Sequence, residues 1–229
     1  MSNGSLDFLN MIKNSVNDKG RPAKTSKVVS THEAEASQDK RSSAVTTNIA
    51  VIDTETNWNN EVMSVGVAIA GADDFKCIDK AYYIITPECN VGGYFSSVLH
   101  IRNVSEKLCT RAKAMSEIKA FLDPYKVTQI FAYNAKFDYS HLKELSGYEW
   151  FDIMRLAAYK QYNKAIPDNL PCCKTGRLKT DYGVEPIMHL LTGDRRYMET
   201  HNALLDAVDE LKIVELLGKS IEEYECGRI

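Results

Sequence analysis

Two acidic residues spaced by one, Asp53 and Glu55, end the apolar run Asn48-Ile49-Ala50-Val51-Ile52. The run is short, β-branched and bounded by polar residues, which predicts a buried strand. On a strand, residues i and i+2 point to one face, so the spacing sets two carboxylates side by side at the strand's carboxyl end. Two like charges that close repel, and one pKa rises unless a cation lies between them. A divalent metal held by hard oxygen ligands removes the conflict. The competing reading is a surface strand end with solvated acids, and the pair alone does not choose between them.

Two later stretches add groups of the same chemistry. Gln129-Ile130-Phe131-Ala132-Tyr133 predicts another strand, followed by Asn134, Phe137 and Asp138. His201 and Asp206 open a segment whose apolar residues Leu204, Leu205, Val208, Leu211, Ile213 and Val214 predict a helix, with His201 near its first turn. Three separated segments thus deliver acids, and one adds a histidine.

In that order, the stretches resemble the motifs of the DEDDh-type 3′→5′ exonucleases, which include the epsilon proofreading subunit of bacterial replicative polymerase, RNase T and oligoribonuclease. The D-x-E motif matches Asp53 and Glu55, N-x-x-F-D matches Asn134, Phe137 and Asp138, and H-x-x-x-x-D matches His201 and Asp206. Glu61 to Gly66 resembles the second strand that follows the first motif, and Phe151 to Leu156 the strand-to-helix segment after the second. The likeness runs from about Thr47 to Gly218. It departs from the family at Asn57-Trp58-Asn59-Asn60, where a glycine is frequent, and at Tyr133, where a histidine is frequent.

The resemblance implies a ribonuclease H-like α/β fold, a mixed sheet flanked by helices. It implies that Asp53, Glu55, Asp138 and Asp206 hold two divalent ions, Mg²⁺ or Mn²⁺, and that His201 takes a proton from the attacking water. Histidine as a residue type titrates near about 6.5, which suits that work at neutral pH. The expected substrates are the 3′ ends of single-stranded DNA or RNA, with nucleoside 5′-monophosphates released; the two nucleic acids are not distinguished. Thr54 and Thr56 are candidates to present backbone N–H groups to the terminal nucleotide, and Asn134 either to bind substrate or to fix the turn of the second motif. Trp58 either stacks on an unpaired base or is an ordinary core or loop tryptophan. The alternative from another class is an inactive nuclease-fold module that binds nucleic acid or a polymerase partner; a full set of four acids and a histidine argues against it.

The elements that must position these groups follow from pattern. Strands are expected at Asn48–Asp53, Met63–Ala70, Lys80–Thr86, Thr128–Tyr133 and Glu149–Asp152, with Gly71 to Asp74 turning the second into the third. Helices are expected at Val104–Leu122, stopped by Asp123-Pro124, at Tyr139–Leu145, at Ile153–Tyr162 with Asp152 as its cap, and at His201–Leu217, closed by Gly218. The stretch Ile166–Arg196 reads as loop. From Arg155 to Arg196 there are eight Lys/Arg against four Asp/Glu, which suits either a phosphate backbone or a solvated surface.

The 229 residues divide into an expected disordered tail, 1–46, and an exonuclease domain, 47–229. The tail is rich in Ser, Thr, Lys, Glu and Asp, too polar to offset its ordering entropy. Within it, Leu6, Leu9 and Ile12 can line a short docking helix for a protein partner. A net charge of −3 argues against strong electrostatic gripping of duplex. No run of about 18 apolar residues predicts a membrane span. The six cysteines are scattered and no apolar leader follows a basic start, so free thiols in the cytoplasm are expected. Adjacent Cys172 and Cys173 near His189 fit no usual zinc-ligand spacing.

Overall fold

The computed structural model describes residues 48–229. The tail at 1–46, with its expected docking helix at Leu6 to Ile12, lies outside the described residues. Strands β1 (Asn48–Thr56), β2 (Val62–Gly71) and β3 (Cys77–Ile85) form an antiparallel meander. They are followed by β4 (Glu106–Cys109), α1 (Arg111–Leu122), β5 (Gln129–Ala132), α2 (Lys136–His141), β6 (Glu149–Asp152), α3 (Met154–Ala157), α4 (Val184–Thr192) and α5 (Ala203–Leu217). The sheet order is β4-β3-β2-β1-β5-β6, with β3/β4, β1/β5 and β5/β6 parallel.

Both faces of the sheet are covered, which is why β1 and β2 read as continuous apolar runs. Alternation along β1 sends Ile49 and Val51 to a core shared with Ala207, Leu211 and Val214 of α5, and Ala50 and Ile52 to a core shared with Ala114, Met115 and Ile118 of α1. Each fully buried Val, Leu, Ile or Met side chain among these contributes about 1.5–3 kcal/mol. β1 carries on through Thr56, so Asp53 and Glu55 lie on the strand itself, on the face that α5 covers.

Several expected boundaries change. Glu106 to Cys109 do not begin a helix; they pair in parallel with Tyr82 to Ile85 as an edge strand, and Leu108 is exposed. Thr110 then caps α1, its side chain accepting the N–H of Lys113. The helix expected at Ile153–Tyr162 stops after Ala157, because the Nδ2 of buried Asn163 donates to the Ala157 carbonyl at 2.7 Å. That carbonyl would otherwise take the next turn's N–H. Asp152 does hold the start, its Oδ1 accepting the N–H of Met154 at 3.0 Å. The helix expected at Tyr139–Leu145 is α2, beginning at Lys136, followed by a 3₁₀ turn at Lys143–Leu145. Inside the supposed loop Ile166–Arg196 lies α4, which buries Val184, Ile187 and Met188 and ends at Gly193 with φ 75°. Gly218, with φ 57°, closes α5 as expected. No helix among the described residues is long and apolar enough to cross a membrane.

Candidate active site

The amino end of α5 reaches the acids of β1 because Gly66 lets it. Gly66 pairs with Asp53 across the β1/β2 ladder. A Cβ at Gly66 would collide with the Ala203 carbonyl and the Leu204 backbone. Only glycine admits this approach, which sets Asp206, in the first turn of α5, over Asp53 and Glu55.

Asp138 arrives from the other face of the sheet. β5 ends at Ala132, and the chain turns at Asn134, whose φ of 60° is left-handed. Asparagine tolerates that region better than most residues. α2 then carries Asp138 inward, where its Oδ1 accepts a 2.7 Å hydrogen bond from Thr54 Oγ1. Asn134 therefore shapes the turn, and its N–H is taken by Asp152 Oδ1 at 3.0 Å. Thr54, offered from sequence as a backbone donor to substrate, uses its side chain to hold Asp138.

His201 lies before the cap, not in the first helical turn. Asn202 is the N-cap, its Oδ1 accepting from Leu204 and Leu205, and His201 precedes it with φ 57°. A ring nitrogen of His201 and carboxylate oxygens of Glu55 and Asp206 all lie within 4.8 Å of one another. Phe95 stacks on the imidazole at 4.1 Å between ring centroids and 20° between planes.

The electrostatics describe a site short of positive charge. Burial, then the Asp206, Glu199 and Asp138 carboxylates, push Glu55 up to about 8. Burial, then Glu199 and Asp209, push Asp206 up to about 8. Burial pushes Asp138 up to about 7, against the lowering effect of the Thr54 hydrogen bond. Asp53 is raised well above the carboxylate range by burial and by Glu210, Asp138, Asp206 and Glu55. Asp53 Oδ2 and Asp206 Oδ1 are buried and have no hydrogen-bond partner among the described residues. Unpaired buried carboxylate oxygens facing other acids are the donor set that hard divalent cations take, so Asp53 and Asp206, with the carboxylates of Glu55 and Asp138 nearby, fit the expected metal ions.

Beside these acids opens a cavity of about 440 Å³ lined by Thr54, Glu55, Thr56, Trp58, Tyr94, Phe95 and Phe137, with Asn57 and Asn60. Trp58 is not a core residue: it is 61% exposed, and its ring packs at 4.7 Å from that of Tyr94, itself 81% exposed. The Trp58 loop is fixed by buried Asn57, whose Oδ1 accepts from Asn59 and Glu61, and by the Trp58 N–H to the Gly92 carbonyl. Sequence reasoning missed Tyr94, Phe95 and Glu210. The first two follow two glycines in a stretch without periodicity. Glu210 was legible, since it lies four residues after Asp206 on the same helical face.

Other polar side chains of these elements have local partners. His100 pairs with Glu106, His141 Nδ1 meets the Phe137 carbonyl at 2.9 Å, and His189 Nε2 meets the Tyr197 carbonyl at 2.8 Å. Asp209 is half-buried and accepts from the Tyr197 hydroxyl at 2.7 Å. The basic stretch is partly met locally, Lys160 by Asp168 and Arg196 by Asp194, while Arg177 lies over the Tyr182 ring. The six cysteines are free thiols.

No family model matches this sequence, and no curated protein matches it. Solved structures do. A full-length 3′-exonuclease is similar at 12% identity and TM-score 0.55, over 79% of this chain and 84% of that one. The nuclease domain of 3′hExo, a DEDDh family member, bound to rAMP, is similar at 13% identity and TM-score 0.54, over 81% and 98%. The zinc-bound complex of E. coli ExoI with ssDNA is similar at 14% identity and TM-score 0.52, over 78% of this chain and 42% of that one. Likeness at such identities speaks for the fold: this chain has the ribonuclease H-like α/β architecture of 3′-exonucleases.

Proposed function

We propose that this chain is a metal-dependent 3′→5′ exonuclease that releases nucleoside 5′-monophosphates from single-stranded ends. The observation that supports it most is the meeting of Glu55 and Asp206 within 4.8 Å of a His201 ring nitrogen, with Asp138, Asp206 and Glu55 near enough to raise the carboxyl of Asp53, and with orphaned oxygens on Asp53 and Asp206. When bound, two Mg²⁺ or Mn²⁺ ions supply Lewis-acid stabilisation of phosphate oxygens and activate water.

The chain's own residues do the rest. The four carboxylates hold the ions, and Thr54 keeps Asp138 in register. An imidazole nitrogen of His201 accepts the proton of the attacking water. Trp58, Tyr94 and Phe137 present ring faces on which unpaired bases stack, a sequence-tolerant contact worth about 1–3 kcal/mol per base. Thr56 lines the cavity wall, and its backbone N–H meets the terminal nucleotide in this reading. The solved complexes of similar fold carry rAMP and ssDNA, which accords with this substrate class.

The test is incubation with labelled single-stranded DNA, single-stranded RNA and duplex, with Mg²⁺ or with EDTA. Shortening from the 3′ end of unpaired strands, abolished by EDTA, is the expected result. Full activity in EDTA, or cutting of a circular single strand, would overturn the reading. Binding without metal-dependent turnover would favour the inactive module.

A further inference from the structure

Asn202 is 1% exposed and makes an unusual number of bonds for one side chain. Its Oδ1 caps α5 through the N–H groups of Leu204 and Leu205. Its Nδ2 donates to the Tyr82 hydroxyl at 2.9 Å and to the Val98 carbonyl at 2.9 Å. Tyr82 in turn donates to the Leu99 carbonyl at 2.9 Å. The backbone carbonyl of Asn202 separately accepts the N–H of Asp206 at 2.9 Å. One buried amide therefore joins α5, β3 and the segment that carries Tyr94 and Phe95.

Both neighbours of this joint bear on His201. On one side His201 is held at φ 57°, a backbone state that costs energy in a residue other than glycine and persists where its surroundings impose it. On the other, the segment fastened at Val98 and Leu99 carries Phe95, the ring stacked on the imidazole. A cap alone would need only the Oδ1 of Asn202; the Nδ2 bonds have no part in capping.

We propose that Asn202 is a positioning residue: its Nδ2 bonds to Tyr82 and Val98 hold the Phe95 segment against His201 and so set the imidazole beside Glu55 and Asp206. This rests on His201 being the general base. The histidine reaches its neighbours from irregular chain, and the amide network supplies the rigidity that a helix would otherwise give it. Small misplacement of a positioned group lowers turnover by as much as about 10²-fold.

The experiment compares Asn202→Ser with the parent, alone and in a His201→Ala background. Serine keeps an N-cap acceptor but lacks the amide donor. Turnover is expected to fall by roughly 10–100-fold while Mn²⁺ affinity moves less than about threefold. In the His201→Ala background the second substitution is expected to cost nothing further, because residues acting through one group are not additive. The histidine ring NMR signal lost in His201→Ala identifies His201; stacking on Phe95 shifts it upfield in the parent, and Asn202→Ser should release that shift. Tyr82→Phe, which removes one hydroxyl, serves as the milder variant and should show the same pattern in weaker form. An equal loss of turnover in both backgrounds, or an unmoved histidine signal in both variants, would overturn the proposal. Full activity of His201→Ala alone would instead sink the general-base reading, while the NMR shift would still report whether Asn202 fixes the ring.

Discussion

Glu210 lies one helical turn beyond Asp206 on α5, and its Oε2 accepts the backbone N–H of Tyr133 at 3.0 Å. The next N–H in the chain, that of Asn134, ends on Asp152 Oδ1 at the same distance. Two successive amides, at the point where β5 leaves the sheet, are thus held by carboxylates from different elements. The helix that carries Asp206 is tied directly to the turn that presents Asp138.

Substitutions at Glu210 should separate this tie from the charge. Burial, then Asp138, raise its carboxyl well above the usual range. Glu210→Gln keeps an acceptor for Tyr133 and removes the acid. It should unfold at higher urea than the parent at pH 8 in chelator, with the difference vanishing near pH 4. Glu210→Leu leaves a buried N–H unpaired and should cost about 1–3 kcal/mol relative to Gln. Equal midpoints for Gln and Leu would show that the tie contributes nothing.

The metal-free protein should lose stability as pH rises. Glu55 is raised from 4.5 to about 8, and Asp206 from 3.8 to about 8. Between those values the folded state binds more protons than the unfolded state. The slope of unfolding free energy with pH is therefore negative, and stability falls from about pH 4 to about pH 8. Divalent metal should oppose this, raising the melting temperature more at pH 8 than at pH 5 and releasing protons on binding. Thermal melts in EDTA and in Mn²⁺ across that range decide it; a chelated protein most stable at pH 8 would contradict the acid cluster.

Binding of a single strand should be visible in tryptophan fluorescence. Of the two tryptophans, Trp150 is 1% exposed in the core and Trp58 is 61% exposed at the cavity. Quenching by an unpaired oligonucleotide, in Ca²⁺ or with Asp138→Ala to prevent cleavage, should therefore come from Trp58 and vanish in Trp58→Phe. Tyr94→Ala should weaken binding by the worth of about one stacked base, 1–3 kcal/mol. Undiminished quenching in Trp58→Phe would remove the stacking role.

The apolar runs of β1, β2 and β5 were readable because burial on both faces leaves little polar interruption, buried Ser64 in β2 aside. The acids stood out for the same reason, as charges at the ends of such runs. Leu108 misled because one exposed apolar residue in an edge strand falls by chance on a helical period. Ala157 and Asn163 show another limit: a helix was ended by a side chain six residues away, a contact no local propensity records. Tyr94 and Phe95 were invisible because their place depends on the Gly93 backbone pressing against the Thr56 carbonyl, where a Cβ would not fit.

His201 should act as a base and not as a metal ligand. Helical spacing would put its side chain about 140° from that of Asp206, at 100° per residue. That separation does not apply, because His201 stands outside the helix at φ 57° and its ring nitrogen comes within 4.8 Å of oxygens of Glu55 and Asp206. Distance alone therefore permits both roles, and chemistry separates them. The orphaned buried atoms of the site are the Oδ2 of Asp53 and the Oδ1 of Asp206. Hard cations such as Mg²⁺ and Mn²⁺ prefer oxygen, whereas imidazole suits softer metals. His201→Ala should accordingly lower turnover by roughly 10²–10⁴-fold, the usual worth of a positioned base. Its Mn²⁺ affinity should stay near that of the parent, and Asp206→Ala should lose both activity and metal. Calorimetric titration of Mn²⁺ into the two variants, beside turnover on a short unpaired oligonucleotide, makes the comparison. Should His201→Ala weaken the metal as much as Asp206→Ala, the histidine is a ligand, and the proton of the attacking water must go elsewhere.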